Sequence, residues 1–314
     1  MKATGTDSVL VMGEALVDLV IRAGSDSSNV TAVPGGSPAN VALALSRLGV
    51  DVDLVAWFGR DDYGTMIAEH LAASNVRIAL GSDQAAFTPT AQAHLDASGA
   101  ATYTFNLEWA PLSPIAVPET AKIAHTGSIG AVLQPGASTV LDAFKRAHVQ
   151  ALTTYDPNAR PTLMGEVSQA RAIVEDFVRE ADVVKVSDED LEWLYEGADP
   201  VASAQTWTDE FGVTLLVITR GKQGPIAWTP TSSKVEFTPA KVKVVDTVGA
   251  GDTFMGGLID TLWRRGFRGA HAASQLALIG DDVLREILSD ASEVADIVVQ
   301  RRGANPPWAS ELGR

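Results

Sequence analysis

Asp252 lies three residues past Gly249 and one past Gly251 in the stretch Val245-Asp246-Thr247-Val248-Gly249-Ala250-Gly251-Asp252-Thr253-Phe254. Phe254, Leu258 and Leu262 recur at one helical spacing and Met255, Ile259 and Trp263 at the next, which predicts a helix starting near Asp252 with a broad apolar face. The valines before the glycines predict a strand end. Gly249 and Gly251 let the chain turn and aim successive N–H groups outward, where the helix dipole adds to them and makes a pocket for an anion such as phosphate. A carboxylate at the mouth of that pocket repels phosphate unless it faces a second substrate and takes its proton. The combination is the chemistry of phosphoryl transfer to a hydroxyl. On the motif alone a plainer reading stays open, in which Asp252 or Thr253 simply caps the helix.

Composition narrows the classes. The 314 residues are enough for one large α/β domain with a substantial core. With 24 Lys and Arg against 39 Asp and Glu, a net charge of -15 argues against a nucleic-acid surface, whereas a local pocket can still take a small anion. The absence of cysteine excludes disulfides, thiolate zinc sites and cysteine nucleophiles, and the five histidines lack metal-site spacing. The apolar run Val9 to Ile21 is broken by Glu14 and Asp18, unlike a signal peptide or membrane span. The reading is a cytoplasmic protein without membrane partners. There is no G-x-x-x-x-G-K-[ST] and no strand-linked G-x-G-x-x-G.

The elements that must position this chemistry follow from pattern. Val9 to Met12, ending in Gly13-Glu14, reads as a buried strand opening a parallel sheet. Asp18, among Leu16, Val17, Leu19 and Val20, either points outward from an amphipathic strand or accepts hydroxyl hydrogen bonds in a cleft. Pro34-Gly35-Gly36-Ser37-Pro38-Ala39-Asn40 feeds a second helix, with Asn40 in its first turn. Asp53 to Phe58 reads as a strand. From Thr88 to Trp109, polar and apolar residues alternate about Asp96-Ala97-Ser98-Gly99, the pattern of a hairpin. With Leu16 to Val33 it makes a small projecting sheet, whose Phe105 and Trp109 either cover a ligand or pack within the sheet. Leu152 to Tyr155, Val183 to Val186 and Leu215 to Thr219 are further strands, ending respectively in Asp156-Pro157-Asn158-Ala159-Arg160-Pro161, in Ser187-Asp188-Glu189-Asp190 and in Arg220-Gly221-Lys222-Gln223-Gly224. Ligands gather at the carboxyl ends of parallel strands, which singles out Arg160. The three acidic residues at 188–190 cap a helix or hold Mg²⁺ through water.

In order along the chain, Gly35 to Ala42, Gly59 to Gly64, Asp156 to Pro161, Thr219 to Gly224, Asp246 to Asp252 and Arg302 to Pro307 resemble the ribokinase-like, or PfkB, carbohydrate kinases, most closely the bacterial fructokinases. Six motifs in family order carry the resemblance nearly end to end. It implies a single α/β domain over 1–314, a doubly wound and mainly parallel sheet flanked by helices, with a small β-sheet lid from about 16–33 and 88–109. It implies ATP as phosphoryl donor, a sugar hydroxymethyl as acceptor, Mg²⁺ and often K⁺. Asp252 is then the catalytic base, the N–H groups around Gly249, Ala250 and Gly251 the anion hole, and Arg160 the cation near the transferring phosphate. The implied sugar site takes Asp18, Gly35, Gly36, Asn40, Phe105, Asp156 and Asn158. The nucleotide side takes Lys185, Ser187, Thr219, Gly221, Gly224 and Asn305. Asp190 and Glu189 hold Mg²⁺ through water, and Asp246 with the Val248 carbonyl faces K⁺. Ser187 and Asp190 stand where ribokinases generally show Asn and Glu. Fructose is the expected acceptor; a 2-keto-3-deoxygluconate kinase or another PfkB sugar kinase, a non-catalytic sugar sensor, and a phosphatase or ATPase using the same anion pocket are the other readings, and the lid edge is a surface for a homodimer.

Overall fold

Thirteen strands appear in the computed structural model, which describes residues 5–22, 30–95 and 101–314. They are β1 (Ser8–Met12), β2 (Leu16–Arg22), β3 (Val30–Gly35), β4 (Val52–Val55), β5 (Arg77–Ile78), β6 (Thr90–Leu95), β7 (Ala101–Asn106), β8 (Ala121–Gly127), β9 (Leu152–Asp156), β10 (Val183–Ser187), β11 (Leu215–Thr219), β12 (Ile226–Trp228) and β13 (Val235–Glu236). Nine form one sheet in the order β13-β12-β11-β10-β9-β8-β1-β4-β5. Every neighbouring pair from β11 to β5 is parallel, and β12 and β13 close one edge antiparallel.

Burial on both faces explains the continuous apolar runs. Val9 and Val11 face one core with helices Ser37–Arg47, Ala250–Arg264 and Asp281–Val298, while Leu10 and Met12 face the other with helices Gly136–His148, Val167–Val178 and Pro200–Asp209. From β1 the chain first builds outward through β4 and β5, then returns to lay β8 against the other side of β1 and continues through β9, β10 and β11. The order therefore reverses between β1 and β8. A crevice opens outside the strand ends at such a reversal, where connecting segments diverge to opposite faces.

The second sheet has the order β3-β2-β6-β7, with β2 antiparallel to β3 and parallel to β6, and β6 antiparallel to β7. It is the small sheet expected from Leu16 to Val33 and the 88–109 hairpin, although the hairpin turn at 96–99 and residues 23–29 lie outside the described residues. Three expectations are corrected. The valine run before Gly249 is not a strand: Val244, Val245 and Val248 are about half exposed, and the Val245 and Asp246 N–H groups donate to the Val299 carbonyl instead of a ladder. The strand expected over Asp53 to Phe58 is β4 and stops at Val55. Trp109 covers no ligand, because it is buried in the second core with its indole N–H donating to the Gly130 carbonyl at 2.8 Å. Among the described residues no helix is long and apolar enough to cross a membrane.

Candidate active site

The helix expected near Asp252 begins two residues earlier, at Ala250, and Gly249 is its N-cap with φ 73°, a left-handed conformation that favours glycine. Gly251 is already helical. Its lack of a side chain serves clearance, since a Cβ there would sit 3.2 Å from Lys185 Nζ. The Ala250 N–H donates to the Thr247 carbonyl, whereas Gly249, Gly251 and Asp252 carry N–H groups without an acceptor among the described residues.

Asp252 is buried in the first turn of this helix, and three side chains from two other segments donate to it. Ser37 Oγ reaches Oδ1 at 2.7 Å, Asn40 Nδ2 reaches Oδ2 at 2.8 Å, and Asn158 Nδ2 reaches Oδ1 at 3.3 Å. Ser37 and Asn40 are three apart on one helix and so share a face. Asn158 follows β9 at φ 38°, strained for a non-glycine residue and worth about 1–3 kcal/mol, which the surrounding contacts must offset.

Asp18 lies on β2 opposite Val33, and its side chain reaches over Gly35, where a Cβ would come within 2.4 Å of its Oδ2 and displace the carboxylate. Burial pushes the Asp18 carboxyl up to about 6 against the pull of Arg160, and the like charge of Asp252 adds to the rise. Arg160, exposed at the end of β9, is folded back on its own loop through Nη1 to Asn158 O, Asn158 Oδ1 and Ala159 O. Phe105 on β7 packs with Leu16, Ala91 and Ile129.

Beneath these groups Lys185 Nζ pairs with Asp156 Oδ2 at 2.8 Å, with side chains 4% and 1% exposed. Burial alone would lower the lysine, yet the carboxylates of Asp156, Asp190 and Asp252 outweigh it and hold the ammonium charged. The lysine takes Asp156 Oδ2, while Asp156 Oδ1 is buried without a partner among the described residues. Ser187 caps the helix Asp188–Leu194 by accepting from the Asp190 N–H, and Asp190 Oδ1 accepts from the Ala159 N–H at 3.0 Å, which ties the end of β10 to the end of β9. Glu189 is exposed beside it. Among the described residues no three acidic or histidine side chains cluster as a metal cage.

The other side of the site is built by backbone. Thr219 ends β11 beside Ser187, and Gly221 and Gly224 bracket the tight turn that follows. Asp246 accepts from the Val248 N–H at 3.1 Å and the Gly303 N–H at 2.8 Å, bonds that hold its carboxyl below the usual range. The tail thus braces the Gly249 turn, and Ala304 packs on it so closely that a Cβ on Gly249 would lie 2.5 Å away. Asn305 is exposed, its Oδ1 accepting from Arg47 Nη1 at 2.6 Å.

Residues 6–311 match the family model described as pfkB family carbohydrate kinase. The chain belongs to that family. It is 33% identical over 320 residues to the probable fructokinase-7 of Arabidopsis thaliana, covering 96% of this chain and 90% of that protein. Among solved structures, the fructokinase of Xylella fastidiosa with bound ATP superposes with a TM-score of 0.81 at 26% identity, covering 97% of this chain and 96% of that one. The fructokinase of Vibrio cholerae O395, in its form with fructose, ADP and calcium ion, gives 0.77 at 27% identity over 95% and 94%. The ribokinase-like α/β fold and the sugar kinase class expected from the sequence are both borne out. Ser37 was not among the expected site residues, although its place three before Asn40 on a helix start was the available signal.

Proposed function

We propose that this pfkB family kinase is a fructokinase that transfers the γ-phosphoryl group of ATP to the hydroxymethyl of fructose. The observation that carries the reading is Asp252: a buried carboxylate, oriented by Ser37, Asn40 and Asn158, beside open N–H groups at a helix N-terminus. A carboxylate so held accepts the hydroxyl proton as the oxygen attacks phosphorus, and the N–H groups of Gly249, Gly251 and Asp252 offset the charge that builds on the transferring group. Arg160 adds a cation at the same strand ends, and Lys185 keeps positive charge beneath Gly251. Asp18 and Asn40 accept and donate to sugar hydroxyls beside the closely packed Gly35-Gly36 turn, while Phe105 covers the site from the small sheet acting as a lid. Water exclusion by that lid limits ATP hydrolysis. Bound fructose in the Vibrio cholerae structure and the names of the plant relatives support fructose as acceptor.

Ser187, Thr219, Gly221, Gly224 and Asn305 form the nucleotide side. The donor set at the end of β10 fits Mg²⁺ held through water, because Asp190 keeps one carboxylate oxygen free and Glu189 is exposed. When bound, that ion neutralises phosphate charge. Asp246 and the Val248 carbonyl are the proposed K⁺ ligands, a position that would steady the Gly249 turn. We place the enzyme in the cytoplasm and propose pairing of two copies through the lid edges.

The test is ADP release from MgATP with fructose, ribose, 2-keto-3-deoxygluconate, inosine or no acceptor, with and without potassium. A fructose-dependent rate well above the others is expected. Preference for 2-keto-3-deoxygluconate would reassign Arg160 to reading a carboxylate, and sugar binding without ADP release would leave a sensor.

A further inference from the structure

Glu14 follows β1 at the point where the sheet order reverses, is only 5% exposed, and is not used by the mechanism above. Its two oxygens accept from two unconnected pieces of backbone. Oε1 takes the Ser37 N–H at 3.3 Å, at the start of helix Ser37–Arg47, and Oε2 takes the Gly130 N–H at 2.8 Å, in the 3₁₀ turn Ser128–Ala131 after β8. The three segments touch at van der Waals limits: a Cβ on Gly130 would meet Gly13 Cα at 2.7 Å, and one on Gly36 would meet the Glu14 carbonyl oxygen at 2.4 Å. Ser128 enters its turn at φ 53°, an unfavourable conformation for serine that the neighbouring contacts hold in place. Ser37 therefore stands between two buried carboxylates, its N–H on Glu14 and its hydroxyl on Asp252.

We propose that Glu14 is a positioning residue for phosphoryl transfer: as the anion it pins the Gly36-Ser37 turn to the Ser128–Ala131 turn, and so aims the Ser37 hydroxyl at Asp252. The inference rests on the kinase reading of Asp252 given above. Protonation turns one of the two acceptor oxygens into a donor and so changes how the Ser37 turn is held. Burial raises the Glu14 carboxyl to about 7, against its own and the Gly130 N–H, the Ser128 hydroxyl and the charge of Arg160, all of which lower it. The first turn of helix Ser37–Arg47 and the Ser128–Ala131 turn bring no charged side chain; Asp252 stands behind Ser37, and Arg160 is the facing cation. Acceptor use should therefore decline on the acid side of neutrality.

The test pairs kinetics with amide exchange in the wild-type chain and Glu14→Gln, which keeps the shape but turns an N–H donor toward a backbone N–H. Expected are a fall of about tenfold in kcat/KM for fructose with the ATP KM held within about twofold, and a shift of the acid limb of the pH profile to lower pH. Amide protection of residues 36–40 and 128–131 should fall together in the variant. A second variant, Glu14→Asp, keeps the charge but shortens the reach and should also lower the protection of both segments, which serves even where Glu14→Gln does not fold. An unchanged acid limb with unchanged protection in both segments overturns the proposal. Should no sugar be phosphorylated by the wild-type chain, the kinase reading fails by itself, and exchange still decides whether Glu14 pins the two turns.

Discussion

The two halves of the site are made differently. On the proposed acceptor half, buried side chains bond to protein partners: Asp252 holds three donors, Glu14 two backbone N–H groups, and Lys185 lies on Asp156. On the proposed nucleotide half, exposed or half-buried residues such as Thr219 and Asn305 stand on turns whose shape is fixed by backbone bonds and glycines. The first half is organised before any ligand arrives. The second offers a backbone surface that a flat ring and a flexible phosphate chain can adopt. Charge that develops during the reaction is best met by groups already in place, which is why the buried network sits on the acceptor half.

The largest break in that contrast is Asp252→Asn, which keeps the shape and removes the base. Its kcat should drop roughly 10²- to 10⁴-fold while sugar and ATP still bind, as read by steady-state rates and calorimetry. Unchanged turnover would overturn the base assignment and leave Asp252 a structural acceptor for Ser37, Asn40 and Asn158.

Lys185→Met should act on stability first, because it leaves Asp156 buried and unpaired. A loss of about 3–5 kcal/mol in urea unfolding is expected, with part of it restored by adding Asp156→Leu. Equal stability of wild type and Lys185→Met would mean that the pair contributes nothing.

Asn40→Ala and Thr219→Ala sharpen the division between the halves. The first should raise the fructose KM about tenfold and leave the ATP KM within about twofold; the second should raise only the ATP KM, by about threefold. Equal effects on both substrates would erase the boundary.

The smallest effect concerns pH. Asp18 is raised from 3.8 to about 6 in the folded chain, so between those values the native state binds more protons than the unfolded one. Its contribution to stability then declines as pH rises through that window. Asp18→Asn should flatten the decline in thermal midpoint from about pH 4 to about pH 6 and weaken fructose binding at neutral pH. A decline as steep as in wild type would assign it elsewhere.

What the sequence made legible was local. Continuous apolar runs announced the buried parallel strands, alternation announced the small sheet, and the glycines before an apolar face announced the helix at Ala250. The valines at 244–248 misled because β-prone residues carry no record of whether a neighbouring strand exists to pair with them; here the tail at Val299 takes that place. Pairings at long range were hidden altogether. The pairing of Asp156 with Lys185 came only with the fold, and Glu14 looked like a turn residue because nothing near it in sequence marks it as buried. The bond from the Ala250 N–H to the Thr247 carbonyl was hidden for a similar reason: its direction depends on where Thr247 turns.

The bonds to Asp252 span 215, 212 and 94 residues of chain. Contacts of that separation close late in folding, since the long loops between them lose entropy before any bond rewards it. On the kinase reading proposed above, the base is oriented only where three distant segments of the chain have met, so no locally folded fragment can carry it.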